Sequence, residues 1–259
     1  MTSRFQAYDS RFFEAQIGGA LESAKVVLDI LFEIYRPRSV FDLGCGTGAW
    51  LAAAGSLGCD RLVGVDGPWV RESELIDPRI EFSRVDLEQD IEYPGQFDLA
   101  ICVEVAEHVS RARAGCLVET LCRIADLVVF SAAVPLQGGV HHINEQWQSF
   151  WAAQFDSFGY QVCDFFRPRI WSDAKVEAWY RQNLLLYIRR SHPVLVNVQR
   201  LSHAQAPLDI VHPYIFEGNI ESYKRGHDDP TLRLCAEMLL RWVSRQVNKI
   251  PLRVRRAYS

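Results

Sequence analysis

Residues 40–50, VFDLGCGTGAW, constrain this chain of 259 residues more than any other stretch. Val40, Phe41 and Leu43 read as a buried strand, Gly44, Gly46 and Gly48 as a tight turn, and the residues from Ala49 onward as a helix. Lacking a Cβ, the glycines reach dihedrals closed to other residues and let a ligand touch the backbone. A helix that opens at such a turn offers free N–H groups and a partial positive charge. The stretch therefore implies an α/β fold with a site for an anionic or hydroxyl-rich, nucleotide-like ligand.

The rest of the chain repeats the alternation. Residues 20–35 form an amphipathic helix pattern, with Leu21, Ala24, Leu28, Leu31 and Tyr35 on one face, and Arg36-Pro37-Arg38 ends it. A crossover helix over 49–58 leads to a strand over 61–65, and a short third strand spans 80–84. The fourth strand, 96–103, is apolar on both faces, as a central parallel strand must be. A helix over 113–124 and a fifth strand over 126–132 follow, and the chain then meets Pro135. A helix over 144–158 carries Trp147, Trp151, Phe155 and Phe158 at core spacing, and two last strands cover 160–166 and 184–189. Five β–α alternations closed by an antiparallel pair predict a mostly parallel, Rossmann-like sheet of seven strands flanked by helices. The aromatics Phe5, Tyr8, Phe12 and Phe13 suit an N-terminal helix on the sheet or a lid over the ligand.

The sheet accounts for residues 1–190, leaving 191–259 as a C-terminal extension. Residues 191–226 read as irregular, punctuated by His192-Pro193 and His212-Pro213. The isolated His192, His203, His212 and His227 lack ligand spacing. Residues 230–250 form a strong amphipathic helix pattern through Leu232, Ala236, Leu239, Leu240 and Val243, and Arg253, Arg255 and Arg256 make a basic tail. The extension is suited to dock an acceptor or a second subunit.

Two constellations carry chemistry. Gly44-x-Gly46-x-x-Ala49 fits a dinucleotide fingerprint, and Asp66 falls at the carboxyl end of the second strand, where a carboxylate can accept hydrogen bonds from a ribose diol. Asp86 closes the third strand in the same way. Glu104, Glu107 and His108 follow the fourth strand in the spacing E-x-x-E-H, on one turn. His141 and His142 sit in the Gly138-Gly139 loop after the neighbouring strand. Two carboxylates and two imidazoles facing one cleft could hold a divalent cation; a histidine acting as general base without metal, or a structural role, stays open beside it.

Read as Asp42-x-Gly44-x-Gly46-x-Gly48, the glycine loop resembles motif I of the class I S-adenosylmethionine (AdoMet) methyltransferases, and residues 20–190 resemble that family. The strings GVDGPWV, FDLAICVEVAEHV, VVFSAAVPLQGGVHHINEQWQSFWAAQFDSFGY, RPRIW and WYRQNLLLYI resemble a bacterial group associated with glycosyltransferases in cell-surface polysaccharide and natural-product glycan pathways. The resemblance implies that Asp42, Gly44, Gly46 and Gly48 cradle the methionine end of AdoMet. Asp66 and Gly67 would then serve the ribose, Asp86 and Leu87 the adenine, and Val103 and Glu104 the floor near the sulfonium. E-x-x-E-H also occurs in plant-type small-RNA 2′-O-methyltransferases, where it binds magnesium together with a later histidine, and in ubiquinone-pathway O-methyltransferases. By that likeness Glu104, Glu107, His108 and His142 are the metal set, and His108, His142 and Glu104 the catalytic set. His142 is preferred to His141 because related groups carry their histidine immediately before the x-Asn-Glu-Gln-Trp string.

Composition narrows the class. A hydrophobic content of 49% supports a full core, and no run approaches the roughly 18 apolar residues of a membrane span. The N-terminus has no apolar signal-peptide core, and seven cysteines without a C-x-x-C pair suit reduced thiols in the cytoplasm. A net charge of −4 argues against stable nucleic-acid binding. The expectation is a cytoplasmic AdoMet-dependent O-methyltransferase for a sugar or glycan hydroxyl, aided by Mg2+ or another divalent cation, and a homo-oligomer through its extension. The alternatives are a methyltransferase for an RNA ribose or a small phenolic, or a silent AdoMet-binding subunit. An NAD(P) oxidoreductase is disfavoured by Asp42-x-Gly44-Cys45-Gly46 and by the lack of a Tyr-x-x-x-Lys proton donor.

Overall fold

A computed structural model describes residues 10–93, 95–202 and 207–228, with side chains for 18–93, 95–202 and 207–223. The chain divides into two compact units, residues 1–212 and 213–259. In the first, β1 (Ser39–Leu43), β2 (Arg61–Asp66), β3 (Glu81–Arg84), β4 (Leu99–Val103), β5 (Leu127–Ser131), β6 (Tyr160–Cys163) and β7 (Leu185–Arg189) form one sheet in the order β3-β2-β1-β4-β5-β7-β6. The pairs among β1 to β5 are parallel, and β7 runs antiparallel to both β5 and β6. The order reverses between β1 and β4, which puts the glycine turn and the end of β4 side by side at the carboxyl edge, where open α/β sheets bind ligands.

Strand alternation sorts the core onto two faces. Val40, Leu62, Ile101 and Val129 pack with Leu28 and Leu31 of α1 (Ser10–Phe32) and Leu51 of α2 (Ala49–Ser56). Phe41, Val63, Ala100 and Val128 pack with Leu117 and Leu121 of α3 (Ala114–Ile124) and Trp151 and Phe155 of α4 (Gln148–Ser157). By that alternation Asp42 falls on the α1–α2 face, as a charged group among apolar ones.

Three elements depart from the sequence reading. The helix expected over 144–158 begins only at Gln148, because Asn144 and Gln146 donate their backbone N–H groups to Glu107 O and Ala133 O instead. Trp147, expected in the core, is therefore 42% exposed. The strand after it stops at Cys163, and the Arg167 side chain, buried against Asp164 and Leu208 O, begins the short helix α5 (Arg167–Ile170). A further short helix, α6 (Ala178–Asn183), leads into β7.

The region expected to be irregular contains two helices, α7 (Val194–Leu201) and α8 (Pro213–Asp228). Pro193 and Pro213, read as breaks, stand at helix starts, where proline lacks only an N–H that no helical carbonyl needs. Residues 191–212 belong to the first unit rather than to an extension: Val194, Leu195 and Val198 enter the α1 side of the core. The second unit is described only as α8. Phe5, Tyr8, His203, the helix pattern over 230–250 and the basic tail lie outside the described residues, and Phe12, Phe13 and His227 have only their helical backbone described. Among the described residues six cysteines are free thiols, and no helix is long and apolar enough to cross a membrane.

Candidate active site

The glycine turn is built by close approach. Gly44 has φ 83° and Gly48 φ 80°, in the left-handed region. A methyl group on Gly44 would lie 2.3 Å from Val105 Cγ2, and one on Gly48 would lie 2.4 Å from Ile80 Cδ1. A methyl group on Gly46 would meet nothing within 4 Å, so Gly46 alone of the three faces open space.

Two carboxylates frame the turn. Asp42 is 1% exposed, and neither of its oxygens accepts a hydrogen bond. Burial, and then the charge of Asp66, push its pKa well above the usual carboxylate range. Asp66 ends β2 and holds the turn directly: Oδ2 accepts Gly46 N at 2.7 Å and Oδ1 accepts Gly67 N at 2.6 Å. Burial raises its pKa, opposed by those two bonds and by the Trp69 side chain. Trp69 escaped the sequence reading; its ring fills the space above Gly67, where a methyl group would lie 2.2 Å from the indole. Asp86 lies beside this edge, since the adjoining Val85 N bonds Asp66 O at 2.8 Å. Its exposed carboxylate accepts Glu88 N at 3.0 Å, while Leu87 packs half-buried against the α3 side of the core.

At the end of β4 the chain turns sharply. Val103 is buried, and Glu104 follows with φ 53°, an uncommon value for a residue with a side chain, held because its N–H reaches Ser131 O at 3.0 Å. A 3-10 turn over Ala106–His108 then presents Glu107 and His108. Glu107 is fully buried, and neither of its oxygens makes a hydrogen bond of ordinary geometry. Burial, and then the facing Glu104 carboxyl, push its pKa well above the usual range. His108 is pushed down to about 4 by burial and by His142. The two imidazoles meet edge to face, centroids 4.9 Å apart at 86°.

Three of the four expected metal ligands come together. One donor atom each from Glu107, His108 and His142 lies within 4.8 Å of the others. Glu104 is not in that group: its carboxylate accepts Asn183 Nδ2 and Gln137 Nε2, each at 3.2 Å. Gln137 Oε1 in turn accepts Gln182 Nε2 and Asn183 Nδ2 at 2.9 Å each. Of the adjacent histidines, His142 faces the cluster, and His141, at φ 61°, is exposed. Asn183 and Gln137 gave no signal in sequence, because they lie 79 and 33 residues from Glu104 and meet it only in the fold.

The comparisons agree with this architecture. A family model described as a methyltransferase domain matches residues 16–173, more than half of the chain, so the chain belongs to that family. Among solved structures, an O-methyltransferase family protein from Burkholderia thailandensis aligns with TM-score 0.55 and 17% identity, covering 74% of this chain and 63% of that one. A SAM-bound amino pentose methyltransferase of calicheamicin biosynthesis, CalS10 from Micromonospora echinaspora, aligns at 0.51 and 14%, covering 71% and 98%. Magnesium protoporphyrin IX methyltransferase from Synechocystis, with bound SAH, aligns at 0.50 and 17%, covering 70% and 88%. At these identities the likeness is one of fold. No curated protein sequence matches the chain.

Proposed function

We propose that this protein is an AdoMet-dependent O-methyltransferase acting in the cytoplasm on a hydroxyl of a sugar or glycan. The observation that carries the reading is the fully buried Glu107 carboxylate, without an ordinary hydrogen bond, set against His108 and His142 at the end of the strand beside the glycine turn. A sulfonium donor brings its own activated methyl group, so an enzyme of this kind must align the acceptor and, for a hydroxyl, dispose of a proton.

The residues at the turn fit such a donor. The buried, unpartnered Asp42 carboxylate favours a ligand bearing positive charge, as the ammonium and sulfonium of AdoMet do. Gly46 leaves its backbone open to contact. Asp66 and Gly67 at the end of β2 serve the ribose, and Asp86 and Leu87 beside them the adenine. Val103 and Glu104 line the floor beneath the methyl group.

At the β4 end Glu107, His108 and His142 would hold a divalent cation, and the mixed carboxylate–imidazole set suits manganese or zinc at least as well as magnesium. Such a cation would supply a lowered hydroxyl pKa and a fixed acceptor orientation. Glu104, tied to Gln137 and Asn183, borders the cation site without joining it. The acceptor oxygen forms a bond to the methyl carbon as the C–S bond breaks, the sulfur keeps that electron pair, and the hydroxyl proton leaves to solvent where a cation is held, or to an imidazole nitrogen where none is. Burial and His142 disfavour the protonated form of His108, which suits it to a ligand bond better than to taking up a proton. A sugar acceptor is supported by the exposed Trp147 at the rim of this loop, whose face suits a pyranose ring, and by the shared fold of the amino pentose methyltransferase.

Calorimetric titration with AdoMet and with its demethylated product, before and after EDTA and then with added manganese or magnesium, tests the reading. Cofactor binding indifferent to chelator, with a separate metal isotherm lost in Glu107→Ala, is the expected result. Cofactor binding without any metal isotherm would shift the chemistry to a histidine base. Failure to bind either AdoMet or its product would overturn the enzyme assignment.

A further inference from the structure

Glu145 lies three residues after His142 in the chain. In the fold its carboxylate is the hub of the loop after β5: Oε2 accepts Leu136 N at 2.8 Å, Oε1 accepts Gly138 N at 2.9 Å, and Oε1 lies 3.1 Å from His142 Nδ1. Both oxygens already receive backbone donors, so Glu145 meets the imidazole as an acceptor, and the nitrogen facing it must carry the proton. The pair is largely shielded, with side-chain exposures of 13% for His142 and 20% for Glu145, where water competes poorly for such a bond.

The neighbours hold the ring in place. A methyl group on Gly139 would lie 2.2 Å from His142 Nε2, so the loop can pass the ring only as glycine. The edge-to-face contact with His108 bounds it on another side. Asn144, between the two residues of the pair, points the opposite way: its Nδ2 reaches Ala106 O at 3.2 Å and its backbone N reaches Glu107 O at 3.0 Å. The tetrapeptide from His142 to Glu145 thus fastens the His142 loop to the turn that carries Glu107 and His108.

We propose that Glu145 is a positioning residue for His142: by accepting the Nδ1–H it fixes one tautomer and one ring orientation, and leaves Nε2 as the working nitrogen. The proposal rests on the reading of His142 as a group at the reacting end. It holds whether Nε2 ligates a cation or accepts the hydroxyl proton, because either task needs the lone pair there.

The test is a long-range 1H–15N correlation spectrum of the full-length, histidine-labelled protein with EDTA present, at a pH where His142 is neutral. Wild type should show the Nδ1–H tautomer at His142, and Glu145→Ala should show the Nε2–H form or a mixture. In turnover assays Glu145→Ala should lose about 10- to 100-fold in kcat with AdoMet affinity unchanged. Glu145→Gln, whose carbonyl can occupy the Oε1 place, should restore part of both readouts. An Nε2–H tautomer in wild type overturns the proposal, and that spectrum decides even if Glu145→Ala fails to fold. An unchanged tautomer in Glu145→Ala, or full kcat there while His142→Ala is inactive, overturns it as well. Full activity in His142→Ala would instead sink the role given to His142 in the proposed function, while the tautomer readout still decides whether Glu145 orients the ring.

Discussion

At the β1–β2 end of the site, the side chains that matter sit on strands, with Asp66 held by Gly67 and by Gly46 of the turn and Asp42 held by no hydrogen bond. Asp42 and Asp66 are strand residues, and the glycines between them take positive φ, with Gly44 and Gly48 also packed too closely for a side chain. At the β4–β5 end the groups sit on a 3-10 turn and a loop; Asn183, 79 residues from Glu104, holds that carboxylate, while Glu145 holds His142 from three residues away. Backbone strain differs in the same sense. At the first end only glycines adopt left-handed angles, whereas at the second Glu104, Leu136 and His141 do so with side chains attached. The contrast separates a turn formed by sheet geometry from a carboxyl–imidazole cluster assembled by tertiary bonds, where strain is retained because other contacts over-determine it.

Substitutions that should act at one end and spare the other can break this division. The largest effect is expected from Glu107→Gln, which replaces the buried carboxyl group that faces His108 and His142. Turnover should fall by about 1000-fold or more, comparable to loss of a key electrostatic group, while calorimetric AdoMet affinity stays within about twofold. A parallel loss of cofactor affinity would show that the two ends are one unit. Next, Asp42→Asn should weaken AdoMet by about 10- to 100-fold, the scale of a lost charge-assisted contact, and raise the Tm of the free protein, because it removes a buried, unpartnered group whose ionisation burial opposes. A fall in Tm would mean that Asp42 is a structural group.

Within the turn, Gly44→Ala should cost about 2–3 kcal/mol in denaturant unfolding through its left-handed φ and its collision with Val105. Gly46→Ala, with φ 52° but open space, should cost only about 1 kcal/mol and act mainly on AdoMet affinity. The smallest expected effect is a pH dependence at the reacting end. The His108 pKa falls from an ordinary value of 6.5 to about 4 on folding, so between those limits the unfolded chain binds more protons than the folded one. Its contribution to stability is present above pH 6.5 and is lost as the pH falls toward 4. The buried Asp42 and Glu107 act with the opposite sign, since their raised values favour the folded state at low pH and lose that advantage as pH rises. Comparing wild type with His108→Gln in urea across pH 4 to 7 isolates the first effect: the variant should lose less stability on acidification, and an identical slope would show that the His108 environment does not matter.

Legibility followed the same division. The seven strands, the glycine turn and the positions of Asp42 and Asp66 could be read from alternation and spacing, because these features depend on residues within a turn or a strand of one another. The E-x-x-E-H spacing likewise located Glu107 and His108, and the choice of His142 over His141 agrees with the side that faces the cluster. Glu104 was grouped with them because it lies on the same stretch of chain. The amides of Gln137 and Asn183 hold its carboxylate outside the group of Glu107, His108 and His142, although it still faces Glu107, and no local pattern encodes that hold.

The sequence by itself determined the sheet, its carboxyl-edge site and the family, because hydrophobic period and glycine geometry are local constraints. Only the tertiary structure decided that α4 starts late, that Pro193 and Pro213 open helices, and that Glu145 holds His142 while Asn183 holds Glu104. The late start of α4 and the hold on Glu104 were settled by hydrogen bonds between segments distant in the chain, and the Glu145–His142 contact by the fold of its own loop. A buried polar group takes whatever partner the packed fold brings within reach, and that partner is not specified until the fold exists.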